Sequence, residues 1–265
     1  MQVLSSRVDL AAFYSRLADA QQRVLMIDYD GTLAPFKIRP EQAVPYPGVL
    51  EALRALMEQE STRVVIVSGR RAMEVAELLP LRRKPEIWGA HGWERVTPQG
   101  ETQMQEPADE VQDALAQAES AAGAIQAAGT RLERKPASIA FHWRGVEDAA
   151  VGALRERVSS AWKPLADGGL LELMPFDGGL ELRACGTNKQ HAVKVVLSET
   201  PPDSAVAYLG DDITDEDAFR AVKAQGLAVL VRPEFRETAA DLWIKPPQEL
   251  LAFLENWRDK PAQGA

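Results

Sequence analysis

Short, continuously apolar runs alternate with longer stretches of helical spacing at both ends of the chain. Residues 24–27, 64–67, 206–209 and 227–231 are apolar without a polar alternate, the pattern of strands buried on both faces. Apolar positions three and four apart follow them at about 48–60, through Val75 and Leu78, and at 215–222. This alternation predicts a parallel sheet covered by helices. In such sheets ligands bind beyond the carboxyl ends of the strands.

The middle of the chain is patterned differently. A helix is expected at 108–128 and a hairpin from strands 131–135 and 138–144. A second helix is expected at 147–163, then strands 170–174 and 179–183 turned by Phe176-Asp177-Gly178. These strands alternate. Ile139, Phe141 and Trp143 share one face, with Ser138, His142 and Arg144 on the other. Arg131, Glu133 and Lys135 lie together, and Leu180 and Leu182 oppose Glu181 and Arg183. The expected fold class is α/β: a doubly wound parallel-sheet core of residues 1–102 and 185–265, with an inserted α+β cap domain at 103–184. An insert beside an active site is suited to act as a lid. A single longer sheet is the alternative. The polar strand face reads either as a wall for a hydroxyl-rich ligand or as a solvated surface.

Composition narrows the function. The 265 residues carry a formal net charge of -9, so a nucleic-acid partner, which needs a basic face, is not expected. A lone cysteine, Cys185, excludes an intramolecular disulfide. Without an apolar run of roughly 18 residues no membrane span is expected. Residues 1–20 lack the apolar core of a signal peptide, and a cytoplasmic location is expected.

Four polar clusters interrupt the apolar pattern. Asp28-Tyr29-Asp30-Gly31-Thr32-Leu33 leaves the first buried run, and burying carboxylates there is costly without compensation. A divalent metal together with a phosphate would supply it. Ser68-Gly69-Arg70 ends the next run, where a hydroxyl and a glycine amide opening a helix can bind a phosphate oxygen or simply cap the helix. In Gly186-Thr187-Asn188-Lys189, Asn188 reads as a cap. Lys189 then opposes the helix dipole by about 0.3–1 kcal/mol unless an anion is present. In Tyr208–Asp217, Thr214 can cap a helix whose first turn takes Asp215 to Asp217, which leaves Asp211 and Asp212 unexplained. Crowded carboxylates of this kind are relieved by a hard cation.

Taken in order, the four clusters resemble the motifs of the haloacid dehalogenase superfamily of phosphatases: DxD, S/T, K and GDxxxD. The resemblance implies that Asp28 is a nucleophile, already ionised at neutral pH, that forms an aspartyl-phosphate. Asp30 would protonate the leaving alkoxide and then activate water. Mg2+ would be held by Asp28, the Asp30 backbone carbonyl, Asp211 and Asp215, with Ser68 and Lys189 on the transferring phosphoryl oxygens.

Further stretches look like the trehalose-6-phosphate phosphatase family: Gly89-Ala90-His91-Gly92-Trp93-Glu94, Glu133-Arg134-Lys135 ahead of 138–144, and Gly210–Phe219. By that resemblance Glu133, Lys135 and Glu181 contact a disaccharide. Gly69 and Arg70 follow the motif serine, and His142 and Arg144 match a His-x-Arg pattern. His91 reads as a turn residue, with substrate contact the alternative. Gln190, after the motif lysine, and Ala184-Cys185 depart from the family pattern. The implied activity is Mg2+-dependent hydrolysis of trehalose 6-phosphate, a small-molecule sugar phosphate, with a functional link to a trehalose-6-phosphate synthase. The alternatives are another glycosyl phosphate, such as a glucosyl- or mannosyl-phosphoglycerate, or a catalytically silent domain that senses sugar phosphate or binds a synthase.

Overall fold

Each apolar run is a strand buried along its length. In the computed structural model, which describes residues 1–176, 178–186 and 188–258, β2 (Arg23–Ile27), β11 (Ala205–Gly210) and β12 (Leu227–Val231) are buried at every position. In β3 (Thr62–Val67) only Arg63 is partly exposed. Asp177 of the expected hairpin turn, Thr187 of the lysine motif and the tail expected at Asp259–Ala265 lie outside the described residues.

The chain divides into two compact units, Met1–Gln103 with Lys189–Ala265, and Met104–Asn188. The first is built on a nine-stranded sheet. Its further strands are β1 (Gln2–Val3), β4 (Glu86–Gly89), β5 (Glu94–Val96), β6 (Thr102–Met104) and β13 (Leu242–Ile244), and the order is β1-β13-β12-β11-β2-β3-β4-β5-β6. The six strands from β13 to β4 pair in parallel, while β1 and β5 join antiparallel.

Strand period sorts the side chains between two layers. Leu25, Ile27, Val64 and Ile66 pack with helices α1 (Leu10–Asp19), α2 (Val49–Met57), α3 (Ala72–Leu78) and α8 (Gln248–Arg258). Val24, Met26, Val65 and Val67 pack with α6 (Lys189–Ser198) and α7 (Glu216–Val222). From β2 the chain winds one way to β3 and β4 and later the other way through β11, β12 and β13. The strand order therefore reverses between β2 and β11, the switch point at which a ligand crevice opens in such sheets.

The second unit is a four-stranded antiparallel sheet, β7 (Arg131–Lys135), β8 (Ser138–His142), β10 (Gly179–Ala184) and β9 (Leu171–Phe176) in that spatial order. It carries helices α4 (Asp109–Gly123) and α5 (Asp148–Asp167). α5 passes the residue-163 boundary expected before Pro164 and runs on to Asp167. A proline this close to a helix end forfeits one backbone bond, while buried Leu154, Val158 and Trp162 anchor the helix. Pro175 lies in β9, at the sheet edge, where a missing donor is tolerated. Among the described residues, no helix is long and apolar enough to cross a membrane.

One buried acid fastens the chain start to the sheet. Asp241, fully buried, accepts from Arg7 Nε at 2.7 Å, from Arg7 Nη2 and from the Ala228 amide at 3.1 Å, with Lys223 Nζ at 3.2 Å. Asp241→Ala leaves these donors without their acceptor. It is expected to cost about 2–3 kcal/mol, less than a fully buried pair because Arg7 keeps solvent contact. The urea midpoint measures this, and a change below about 0.5 kcal/mol would show that Asp241 is not structural.

Candidate active site

The switch point is where the acidic motifs meet. Asp28 leaves β2 with its amide still in the ladder, donating to the Leu209 carbonyl at 2.8 Å. The loop then folds back tightly, with Gly31 N donating to Ala34 O at 2.7 Å. Gly31 sits at φ +81°, and a Cβ there would fall 2.1 Å from Asp211 Oδ2. Only glycine fits, because it adopts that φ freely and lets the loop approach Asp211.

Asp28, Asp211 and Asp215 are buried, and each offers a carboxylate oxygen within 4.8 Å of the others. Lys189, the first residue of α6, reaches into the group. Its Nζ lies 2.7 Å from Asp28 Oδ1 and 2.8 Å from Asp215 Oδ1. Asp215 also accepts from Tyr208 OH at 2.5 Å and, through Oδ2, from the Asp211 and Asp212 amides at 3.1 Å. One ammonium thus faces three carboxylates. Burial pushes Asp28 up to about 7; Lys189 opposes the rise and Asp215 adds to it. Asp211 is raised well above its ordinary value by burial, then by Asp28 and Asp215. Burial would depress Lys189, but Asp215 and Asp28 outweigh it and hold the ammonium charged. The Asp28 carboxyl, expected to be ionised at neutral pH, is raised toward neutrality because desolvation and like charge exceed what one lysine offsets. An oxygen-only donor set with excess negative charge fits a hard divalent cation such as Mg2+.

Two details revise the reading of the acidic motif. Thr214 does not cap α7: the cap position is Asp215, without a side-chain cap bond. Asp212 caps the short 3-10 turn Ile213–Asp215 that precedes it, accepting from Ile213 N at 2.7 Å, so Asp212 belongs to that turn and Asp211 alone of the pair joins the cluster. Asp215 turns back toward Lys189 instead of merely filling a first helical turn. Tyr208 was not singled out as a site residue, although a hydroxyl in an otherwise apolar buried strand marks it.

Asp30 stands apart from the cluster. Arg70 grips its carboxylate with two bonds, Nε to Oδ2 at 2.6 Å and Nη2 to Oδ1 at 2.7 Å. The guanidinium carbon also lies 5.6 Å from the Tyr29 ring centre. Ser68 is buried and its Oγ accepts from Arg70 N at 3.1 Å. α3 begins only at Ala72, with Arg71 as its cap position. Phosphate binding at Ser68-Gly69 would therefore use the loop and not a helix start. Gln190 points to the Asp217 carbonyl and to Lys194.

In the second unit, register sets Glu133 and Glu181 on either side of Ala140, and Lys135 and Arg183 on either side of Ser138. Lys135 Nζ lies 3.3 Å from Glu181 Oε1, which also accepts from Ser138 Oγ at 2.7 Å. Glu133 takes His142 Nε2 at 2.8 Å and Arg131 Nη1 at 2.9 Å. Burial would raise Glu133, but His142, Lys135 and Arg131 outweigh it and hold the carboxyl well below its ordinary range. His142 is lowered, chiefly by burial. Lys135, Ser138 and Glu181 are buried, so the solvated-face reading does not hold for them. Arg144 is half-buried, just beyond β8.

The fold is shared with a haloacid dehalogenase-like hydrolase from B. subtilis, with a TM-score of 0.61 at 17% identity over 88% of this chain and 99% of that one. A Candida albicans trehalose-6-phosphate phosphatase C-terminal domain shares the fold, with a TM-score of 0.83 at 19% identity over 97% of this chain and 99% of that one. The trehalose-phosphatase family model matches residues 26–241, and the chain belongs to that family. It is 31% identical to a Zea mays trehalose 6-phosphate phosphatase over 95% of this chain and 74% of that protein. It is 33% identical to a Mycobacterium tuberculosis protein described as an uncharacterized glycosyl hydrolase, over 95% of this chain and 20% of that protein. The chain thus spans about a fifth to three fifths of the length of the first curated relatives it matches.

The charge excess has a measurable signature. Because the folded pKa of Asp28 is raised, the unfolded chain ionises first, near pH 4. Stability is then lost as pH climbs from there to about 7. Without metal, Asp28→Asn is expected to melt above wild type at pH 8, by at most about 4 kcal/mol, and to converge with it near pH 4. Added Mg2+ is expected to raise the wild-type midpoint more than that of the variant. Thermal unfolding in EDTA and in MgCl2 reads both effects.

Proposed function

We propose that this protein is a Mg2+-dependent phosphatase that hydrolyses trehalose 6-phosphate to trehalose and phosphate. The observation that carries the reading is the buried ammonium of Lys189, bonded to Asp28 and Asp215 within a cluster of three buried carboxylates at the sheet's switch point. Asp28, the Asp30 backbone carbonyl, Asp211 and Asp215 would hold Mg2+, which when bound neutralises the carboxylates and the phosphoryl oxygens beside them. Phosphoryl transfer asks for that neutralisation, and for positioning, more than for covalent activation.

Asp28 is the nucleophile in this reading. Lys189 holds Oδ1, and Oδ2 attacks phosphorus as the phosphorus–oxygen bond to the sugar breaks. Asp30 gives the leaving alkoxide its proton. In the second step Asp30 takes a proton from water, the water oxygen bonds to phosphorus, and the aspartyl-phosphate bond breaks to restore Asp28. Asp30 must leave the Arg70 fork to do this. Arg70, Ser68 and the Gly69 amide then serve the phosphoryl oxygens. Sugar recognition is assigned to Glu133, Lys135 and Glu181, with His142 and Arg144, because carboxylates and ammonium groups bracket vicinal hydroxyls. The reaction that supplies this substrate must transfer a glucosyl unit to a hexose phosphate, which is the place of a synthase.

Phosphate release from a panel of sugar phosphates, with and without Mg2+, tests the reading. Wild type is expected to prefer trehalose 6-phosphate, and Asp28→Asn to lose at least about 1,000-fold in kcat. No turnover of any panel member by wild type would sink the phosphatase reading and favour a silent sensing domain. Turnover confined to a phosphoglycerate glycoside would sink the trehalose assignment alone. Glu133→Ala and Glu181→Ala are each expected to lower kcat/KM on trehalose 6-phosphate by about 100-fold, and on p-nitrophenyl phosphate by less than about threefold. Equal losses on both substrates would remove these residues from sugar recognition.

A further inference from the structure

The segment joining β4 to β5, Gly89–Glu94, takes no part in the chemistry above, yet it holds a strained conformation. Among the described residues, Ala90 (φ 48°) and His91 (φ 58°) are the only non-glycine residues with positive φ, and Gly92 follows at 105°. Such strain costs about 1–3 kcal/mol per residue and persists only where surrounding structure enforces it.

The turn is tied to the loop that carries Ser68. Ser68 N donates to Trp88 O at 2.8 Å, His91 N to Ser68 O at 2.9 Å and Ala90 N to Arg70 O at 2.6 Å. One step further along, Glu94 accepts from Ala72 N at 2.8 Å and from Arg71 Nε at 3.0 Å. The two segments are zipped together from Ser68 to Ala72. Helix α6, whose first residue is Lys189, packs against the same short turn, Ala90–Gly92. The buried imidazole of His91 lies directly against Gly69, where an added Cβ would fall 2.6 Å from Cε1 and 2.7 Å from Nε2. Gly69 does not have a left-handed φ; the ring, not the backbone, demands glycine there.

We propose that His91 is a positioning residue. The strained turn and its ring set the Ser68-Gly69-Arg70 loop at the separation from Lys189 that a phosphate group requires. The proposal rests on the reading of that loop as phosphate-binding. A turn in contact with both elements can fix their spacing, and left-handed backbone at His91 aims the ring at Gly69 instead of at solvent.

The test uses inorganic phosphate as probe, titrated calorimetrically in MgCl2 against wild type, His91→Gly, Gly69→Ala and the double variant. Glycine adopts the left-handed φ at no cost, which offsets part of the cavity left by the buried ring, so His91→Gly is expected to stay folded with a modestly lower melting temperature. It should bind phosphate about tenfold more weakly, and Gly69→Ala should lose a similar factor. The double variant should also lose about tenfold and not the hundredfold of independent sites, because the new methyl occupies the vacated ring volume. Binding by His91→Gly within twofold of wild type, losses that multiply, or a loss that merely tracks a fall in melting temperature would each overturn the proposal. Wild type that binds no phosphate would instead overturn the phosphatase reading on which it rests.

Discussion

Three buried carboxylates share one ammonium, and the surrounding structure follows from that imbalance. Lys189 can offset one charge, and its two short bonds already commit it to Asp28 and Asp215. The other hydrogen bonds described to these carboxylates come from dipoles: the Tyr208 hydroxyl, two main-chain amides and the Thr32 hydroxyl, 3.4 Å from Asp28. Dipoles can orient carboxylates, but they do not cancel net charge in a desolvated site. The arrangement stays electrostatically incomplete without a cation, and for that reason it can accept one.

Asp215 and Asp30 show how one residue type serves opposite ends. Asp215 is saturated: Lys189, Tyr208 and two amides leave it little freedom, which suits a group that holds others in place. Asp30 is held by the Arg70 fork and keeps some solvent contact, which suits a group that must exchange a proton. Arg70 pairs with Asp30 and so limits the like charge that Asp30 adds to Asp28.

Much of this was legible in the sequence, for identifiable reasons. Strands buried on both faces admit few polar residues, so β2, β3, β11 and β12 stand out as unbroken apolar runs, and the polar residues at their ends stand out in turn. The four clusters and the alternating strands of the second unit were readable on that basis. Asp211 and Asp212 were not separable, because adjacent acids look alike until backbone direction decides which one caps a turn. The Asp30–Arg70 fork spans 40 positions, and the capping of Ala72 by Glu94 crosses from a neighbouring strand; neither follows from local spacing. The helix expected at 147–163 runs on to Asp167, past Pro164, anchored by buried side chains that include Trp162.

Lys189 lies 161 positions from Asp28 in the chain, with the whole second unit threaded between them. During synthesis, β2, β3 and the acidic loop emerge long before their counter-charge does. Until then the amino-terminal part of the sheet carries Asp28 without its counter-charge. Loop closure across such a span grows only slowly with length, by about 0.6 kcal/mol per doubling. The intervening unit is therefore free to vary in size at small thermodynamic cost, while the late docking of α6 and β11 is the step on which a completed core depends.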